Sequence, residues 1–168
     1  MPVRDWMQQP VLTIDAGARV DDAVRLMRER GVRHLPVLDA DERLVGIATD
    51  RDLRQVLFDV ALGGADDAGE GGARPVREVM TWGVVTVTPA TELREAVAVM
   101  RERRLGALPV VDAAGRVVGI LTERDLLRAL QTLLRERVVH PRPAAATATA
   151  GVYDPGIATV GDGDPWQN

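Results

Sequence analysis

Two copies of one short motif hold the residues of this chain that could do chemistry. The pattern Gly-Ile-x-Thr-x-Arg-Asp-Leu begins at Gly46 and again at Gly119. Each copy lies where a strand-like run gives way to a helical one. Such a junction points free backbone N–H groups and the positive end of the helix dipole at one spot, so it suits an anion.

Within the motif, the threonine and the aspartate offer complementary chemistry. Thr49 and Thr122 could each add a hydroxyl for a phosphate, and Asp52 and Asp125 could accept hydrogen bonds from the two hydroxyls of a ribose. A structural interpretation stands beside this one, because Thr-x-x-Asp at a helix start is also a capping-box variant, with Thr as N-cap and the acid at N3. The two interpretations do not exclude each other for the threonines.

The motif belongs to a longer repeat whose copies are 73 residues apart. Residues 3–7 return as 76–80, residues 35–37 return as 108–110, and no gap is needed between the copies up to Leu53. About half of the aligned positions are identical. Two copies of one fold unit are therefore predicted, with function at or across the pseudo-twofold that relates them.

Each copy predicts the order strand, helix, strand, strand, helix. In the first copy, residues 11–14 are strand-like and apolar residues recur at helical spacing over 20–27, after which Gly31 ends the helix. Residues 35–38 and 44–47 then predict a hairpin. The closing helix of the second copy has an apolar stripe made of five leucines: Leu126, Leu127, Leu130, Leu133 and Leu134.

Four regions follow from this pattern. Residues 1–62 form the first repeat and 76–137 the second, whose first strand is expected at 84–87. Residues 63–75 are glycine-rich and acidic, with too little apolar surface to fold, and predict a mobile linker. Residues 138–168, rich in Pro, Ala, Thr and Gly, are expected to be extended or disordered unless they dock on a neighbour.

Composition excludes several classes of function. The 168 residues, 46% of them hydrophobic, predict one compact domain or two small interlocked ones, and a net charge of -4 argues against nucleic-acid binding. No apolar run approaches the ~18 residues of a membrane span and no signal-peptide core is present, so a cytoplasmic protein is expected. Because the chain has no Cys, Ser or Lys, thiolate zinc sites, Ser or Cys nucleophiles and Schiff-base lysines are excluded. We expect neither an enzyme nor a metal site.

The whole pattern resembles a cystathionine β-synthase (CBS) domain: Val-x-x-x-Met, a strand, an amphipathic helix, a Leu-Pro-Val strand, Gly-h-h-Thr-x-x-Asp and a closing helix. Two copies in tandem, over roughly residues 1–137, resemble a CBS domain pair. The resemblance implies an α/β fold of two β-α-β-β-α repeats related by a pseudo-twofold, with two clefts. It also implies that the clefts bind AMP, ADP, ATP or S-adenosylmethionine as regulatory ligands, and that a homodimer regulates an unidentified protein. The alternative is a scaffold or interaction protein with vestigial clefts.

The resemblance also assigns roles by position. The family's ribose-binding acid falls on Asp52 and Asp125, and its phosphate-side hydroxyl on Thr49 and Thr122. The other implied ligand-binding residues are the apolar wall against the base and the segment just before Leu-Pro-Val in each copy: Leu12, Val85, Val32, Arg33, His34, Leu105, Gly106 and Ala107.

The two copies differ at that segment, where Arg33 and His34 align with Gly106 and Ala107. In the family, phosphates at one copy's aspartate are often met by the other copy's segment. The resemblance therefore implies that Arg33 and His34 face phosphates in the Asp125 cleft, which makes it the better-equipped cleft. With an unperturbed pKa near 6.5, His34 is expected to tighten phosphate binding as pH falls toward 6. The alternative is that Arg33 and His34 are surface polar residues at a strand edge.

Overall fold

The computed structural model describes residues 1–62 and 72–139, so most of the predicted linker and tail lie outside the described residues. No helix within those two ranges combines the length and apolarity needed to cross a membrane. The first repeat contains a 3-10 helix at Val3–Asp5, β1 (Ile14–Asp15), α1 (Val20–Arg30), β2 (His34–Leu38), β3 (Leu44–Thr49) and α2 (Asp50–Leu62). The second contains a 3-10 helix at Val76–Glu78, β4 (Thr81–Trp82), α3 (Leu93–Arg103), β5 (Ala107–Val111), β6 (Val117–Thr122) and α4 (Glu123–Val139).

The predicted hairpins and helices are confirmed. Strands β2 and β3 pair antiparallel, as do β5 and β6. Helix α1 buries Val20, Ala23 and Met27 on one face. It ends at Gly31, whose φ of 64° lies in the left-handed region that glycine adopts without steric cost.

The first strand of each repeat is shorter than predicted. Instead of residues 11–14, β1 spans Ile14–Asp15 and pairs parallel with β2, and the strand expected at 84–87 is reduced to a single bridge between Val87 and Val110. A proline explains both corrections. Pro36 and Pro109 occupy the next position of the neighbouring strand, and their missing N–H prevents the ladder from extending.

The beginning of each repeat packs into the other repeat. We call residues 3–8 and 76–81 the crossing segments. Val76 and Met80 belong to the core cluster of the first repeat, whereas Val3 belongs to that of the second. Thr81 in β4 pairs with Ile47 of β3, and Gln8 forms the corresponding bridge to the second sheet. Each hydrophobic core is therefore completed by the other copy.

Residues just before the crossing segments cap two helices. Neither α1 nor α3 has a side-chain N-cap hydrogen bond. Instead, the N–H of Val20 donates to the Arg74 carbonyl at 2.9 Å, and the N–H of Leu93 donates to the Met1 carbonyl at 2.8 Å. These bonds satisfy N–H groups that a helix start otherwise leaves without an intrahelical partner.

The motif glycines make room for the crossing segments. A Cβ at Gly46 would collide with the Met80 side chain, and one at Gly119 would lie 2.8 Å from Met7 Sδ and 3.1 Å from the Gln8 carbonyl oxygen. The methionine of the Val-x-x-x-Met pattern in one repeat therefore packs against the motif glycine of the other repeat.

The leucines of α4 do not form a single buried stripe, which corrects the sequence prediction. The core side of α4 instead carries Asp125 and Ala129, which are 2% exposed, with Leu126 half-buried. The other four leucines are between 38% and 66% exposed: Leu127, Leu130, Leu133 and Leu134. Asp125 and Ala129 are one helical turn apart and therefore lie on the same face of α4. Because the aspartate of the motif is buried, this face and not the leucine face packs against the core.

Candidate ligand clefts

At both strand-to-helix junctions the threonine and the aspartate of the motif are hydrogen-bonded to each other. In the first, the Thr49 hydroxyl accepts from the Asp52 N–H at 3.2 Å and donates to Asp52 Oδ2 at 2.7 Å. In the second, the N–H and hydroxyl of Thr122 donate to Asp125 Oδ2 at 2.9 and 2.6 Å. Each copy therefore shows one half of the reciprocal capping box, with threonine at N-cap and the acid at N3: the N3 N–H bonds to the threonine hydroxyl in the first copy, and the N-cap N–H bonds to the aspartate carboxylate in the second.

The two aspartates differ in their surroundings. Asp52 is half-buried, whereas Asp125 is 2% exposed. The Asp125 carboxylate also accepts from Gln8 Nε2, at 3.2 Å to Oδ1 and 3.1 Å to Oδ2, and forms an ion pair with Arg128 at 3.3 Å. Arg128 in turn donates to the Trp6 carbonyl at 2.9 Å, so it ties the carboxylate to the crossing segment.

Sequence reasoning missed Gln8 and Arg128. Their counterparts in the other copy are Thr81 and Gln55. The two copies therefore differ in sequence at both positions, and such differences could have indicated that the two clefts are not equivalent. These differences could have been assigned to the Asp125 cleft only with the knowledge that residues 3–8 contact the second repeat.

A cavity of about 330 Å³ lies between the repeats and brings together residues that the sequence analysis paired across the pseudo-twofold. Arg33 and His34 enter it from the first repeat, and Gly106 and Thr122 from the second. The imidazole is so close that a Cβ at Gly106 would lie 3.1 Å from His34 Nε2. The rest of the lining consists of Gln8, Arg30, Gly31, Val32, Ile120, Glu123 and Arg124.

Burial changes the expected charge of His34. Burial of the ring, and then the nearby charge of Arg33, lower the pKa of His34 below 6.5, while Glu123 and Asp52 act in the opposite direction. A lowered pKa keeps the imidazole neutral at pH 7 and moves its protonation to lower pH. The expectation based on the unperturbed pKa is corrected accordingly.

A second cavity, of about 600 Å³, lies beside the Asp125 carboxylate. Gln8 and Arg124 line both this cavity and the one that contains Thr122. Gln8, which hydrogen-bonds to the Asp125 carboxylate, therefore borders both cavities. The remaining lining residues are Met7, Gln9, Pro10 and Arg128.

The other residues implied by the resemblance lie nearer the cores. Leu12 is partly buried against the core cluster of the first repeat, and Val85 and Leu105 against that of the second. Ala107 is buried at the start of β5, where it pairs with Thr122. Leu12, Val85 and Leu105 thus offer partly covered apolar surface.

Comparison with known proteins identifies the family. The model of the CBS domain matches residues 3–59 and 76–132, so the chain belongs to the CBS domain family as a tandem pair. The structure of the CBS domain pair of protein MJ0100 in complex with 5-methylthioadenosine and S-adenosyl-L-methionine is similar to this chain. Its TM-score is 0.68 at 26% identity, and the match covers 79% of this chain and 98% of that one. The structure of CBSX2 in complex with AMP has a TM-score of 0.67 at 32% identity and covers 80% and 98%.

A longer relative contains a similar stretch. The homoserine O-acetyltransferase of Methanohalobium evestigatum is 33% identical over 129 residues, which cover 77% of this chain. The matched stretch makes up 24% of that enzyme, so the chain spans about a quarter of the length of this relative.

Proposed function

We propose that this chain is a regulatory module that senses adenosyl compounds in the clefts between its two CBS repeats. The observation that carries the proposal is the inter-repeat cavity, where Arg33 and His34 of one copy face Thr122 of the other. The ligands of the similar CBS pairs, 5-methylthioadenosine, S-adenosyl-L-methionine and AMP, support the adenosyl class.

In this proposal each group of residues has one task. Asp52 and Asp125 accept hydrogen bonds from the ribose hydroxyls, because a carboxylate offers two oxygens to a diol. Thr49 and Thr122 meet phosphates at the two helix starts, and Arg33 and His34 meet phosphates in the Asp125 cleft. The base contacts apolar side chains and backbone of the remaining predicted residues: Leu12, Val32, Val85, Leu105, Gly106 and Ala107.

In this proposal the chain regulates another protein and does not itself catalyse a reaction. The missing Ser, Cys and Lys remove the usual nucleophiles, and the cleft residues suit binding. A cytoplasmic protein whose ligands are AMP, ADP, ATP or S-adenosylmethionine is the form of the proposal that we favour. The regulated partner would respond to the ligand-dependent state of the pair.

A scaffold with vestigial clefts is the second candidate, and one observation favours it. The carboxylate of Asp125 already has protein donors in Thr122, Gln8 and Arg128. Native mass spectrometry separates the candidates. With AMP or S-adenosylmethionine added, a sensor gives complexes with one or two ligands per chain, whereas a scaffold gives the bare mass at every concentration.

We propose that the module is a homodimer. The support lies on α4, where Leu127, Leu130 and Leu134 are 66%, 51% and 55% exposed on neighbouring turns. Sedimentation equilibrium is expected to give twice the chain mass of 18.2 kDa. Leu130→Glu places a charge in the middle of this surface and is expected to return the monomer mass. Gln131→Glu, one residue on, is the control and is expected to leave the dimer intact.

Arg33→Ala is expected to weaken ATP binding while adenosine binding hardly changes. The substitution removes a charge-assisted contact to phosphate, so the expected loss for ATP is about 1.5 to 3 kcal/mol, or roughly tenfold or more in affinity. Isothermal titration calorimetry with both ligands makes the measurement. Arg101→Ala, an equal change of charge on the exposed side of α3, is the control. Equal losses for ATP and adenosine would contradict the contact across the pseudo-twofold.

A further inference from the structure

We propose that Gln8 is a built-in competitor for the Asp125 cleft. Its side-chain amide occupies the carboxylate oxygens that a ribose would need, so a ligand must displace it to bind there. This inference rests on the proposed function, and it concerns the regulation of one of the two clefts.

Protein donors take up the hydrogen-bonding capacity of the Asp125 carboxylate. Two carboxylate oxygens offer about four acceptor positions. Oδ2 of Asp125 already accepts from the N–H and hydroxyl of Thr122, and Oδ1 receives Arg128. Gln8 Nε2 lies 3.2 and 3.1 Å from the two oxygens and completes the set. A diol that donates two hydrogen bonds therefore finds no open acceptor pair while the amide stays in place.

Backbone hydrogen bonds hold Gln8 in position. Its N–H donates to the Ile120 carbonyl at 2.8 Å, and its carbonyl accepts from the Ile120 N–H at 3.3 Å. These bonds fix the Cα of Gln8 at the edge of β6, beside Ile120, which lies three residues before α4 begins at Glu123. The competing amide is therefore pre-positioned at a fixed distance from the carboxylate, and only side-chain rotation is needed to withdraw it.

The two clefts differ at the position of Gln8. At the position of Gln8, the other crossing segment has Thr81, which bridges to Ile47 in the same way but has a short side chain with no amide. Asp52 is correspondingly half-buried, while Asp125 is 2% exposed. The competitor is thus specific to one cleft. We infer that binding in the Asp125 cleft, and not in the Asp52 cleft, carries the cost of displacing a glutamine amide.

Displacement of Gln8 also has a consequence beyond the cleft. Arg128 links the same carboxylate to the Trp6 carbonyl, so the carboxylate holds the crossing segment at two points. A ligand that takes over the carboxylate loosens both. Occupancy of the Asp125 cleft is thereby coupled to the segment that completes the core of the second repeat.

Gln8→Ala is expected to tighten AMP binding at one of the two sites by about threefold to tenfold, which corresponds to the net worth of the amide contact. The substitution destabilises the unliganded state, where the carboxylate loses a donor, and leaves the liganded state unchanged. Isothermal titration calorimetry with AMP measures the affinity, and circular dichroism checks the fold. Gln131→Ala is the matched control, since Gln131 is an exposed glutamine of α4 that lines neither cavity.

Gln8→Met serves as a second variant that keeps the length of the side chain without the donor, in case the alanine variant does not fold. Tighter AMP binding by either variant, with Gln131→Ala like the wild type, supports the competitor. Equal or weaker binding by a folded Gln8 variant, while the wild type binds AMP, overturns the competitor and leaves the proposed function standing. If neither the wild type nor any variant binds AMP or S-adenosylmethionine at millimolar concentration, the proposed function fails and the competitor fails with it.

Discussion

A polypeptide of residues 1–69 is expected not to fold as a stable monomer. It lacks Val76 and Met80, which are 0% and 6% exposed in the core of the first repeat, and it lacks the carbonyl of Arg74 that caps α1. Removing one such side chain from a core costs about 2 to 5 kcal/mol for methionine, and small domains have only about 5 to 15 kcal/mol in total. Circular dichroism with size-exclusion chromatography is the measurement. Either an unfolded chain or a self-dimer that supplies the missing segment from its partner is expected.

The companion experiment cleaves the intact protein between residues 63 and 71. The crossing contacts do not depend on that peptide connection, so the two halves are expected to elute together and to melt as one unit. A cooperatively melting monomer of residues 1–69, or free halves after cleavage, would contradict the exchange of segments between the repeats.

Asp125→Asn is expected to lower both ligand affinity and stability. The amide lacks the charge and one acceptor that a ribose diol needs, which corresponds to a loss of about 1.5 to 3 kcal/mol in nucleotide binding. The structure adds a second effect that the motif alone did not predict. Asp125 accepts hydrogen bonds from Thr122 at the start of α4 and is 2% exposed, so an amide there leaves donors unmatched and costs a further 1 to 3 kcal/mol or so of folding free energy.

Calorimetry and a thermal melt on the same sample distinguish the two effects, provided that binding is measured well below the melting temperature. Asp41→Asn, at an exposed turn position, is the control for the change of charge. A variant that melts lower but binds the nucleotide as tightly as the wild type would mean that Asp125 serves only as a helix cap.

The elements of the fold were readable because their signals are local. A gap-free repeat, the switch between strand and helix periodicity, and Gly31 at a helix end predicted α1, both hairpins and the two junctions. The shortened first strands could also have been read from sequence. Pro36 and Pro109 lack the N–H that a longer parallel ladder requires.

The exchange between the repeats could not be read locally. Val3 and Val76 look like equivalent apolar residues of their own copies, and nothing in either copy says which core each one fills. The same ambiguity hid Gln8, because its partner Asp125 is 117 residues away in sequence. Helical periodicity predicted that the leucines of α4 face the core. In the structure, Asp125 and Ala129 occupy the core side of that helix instead.

The central claim is that the clefts between the repeats bind adenosyl compounds, and a thermal-shift titration tests it most directly. AMP, ADP, ATP, S-adenosylmethionine and 5-methylthioadenosine are compared with guanosine and cytidine monophosphates as controls. At 100 times its dissociation constant, a ligand stabilises the fold by about 2.7 kcal/mol, a rise of several degrees in melting temperature. The account predicts a saturable rise with at least one adenosyl compound and none with the control nucleotides. An unchanged melting temperature with all five at millimolar concentration would contradict it.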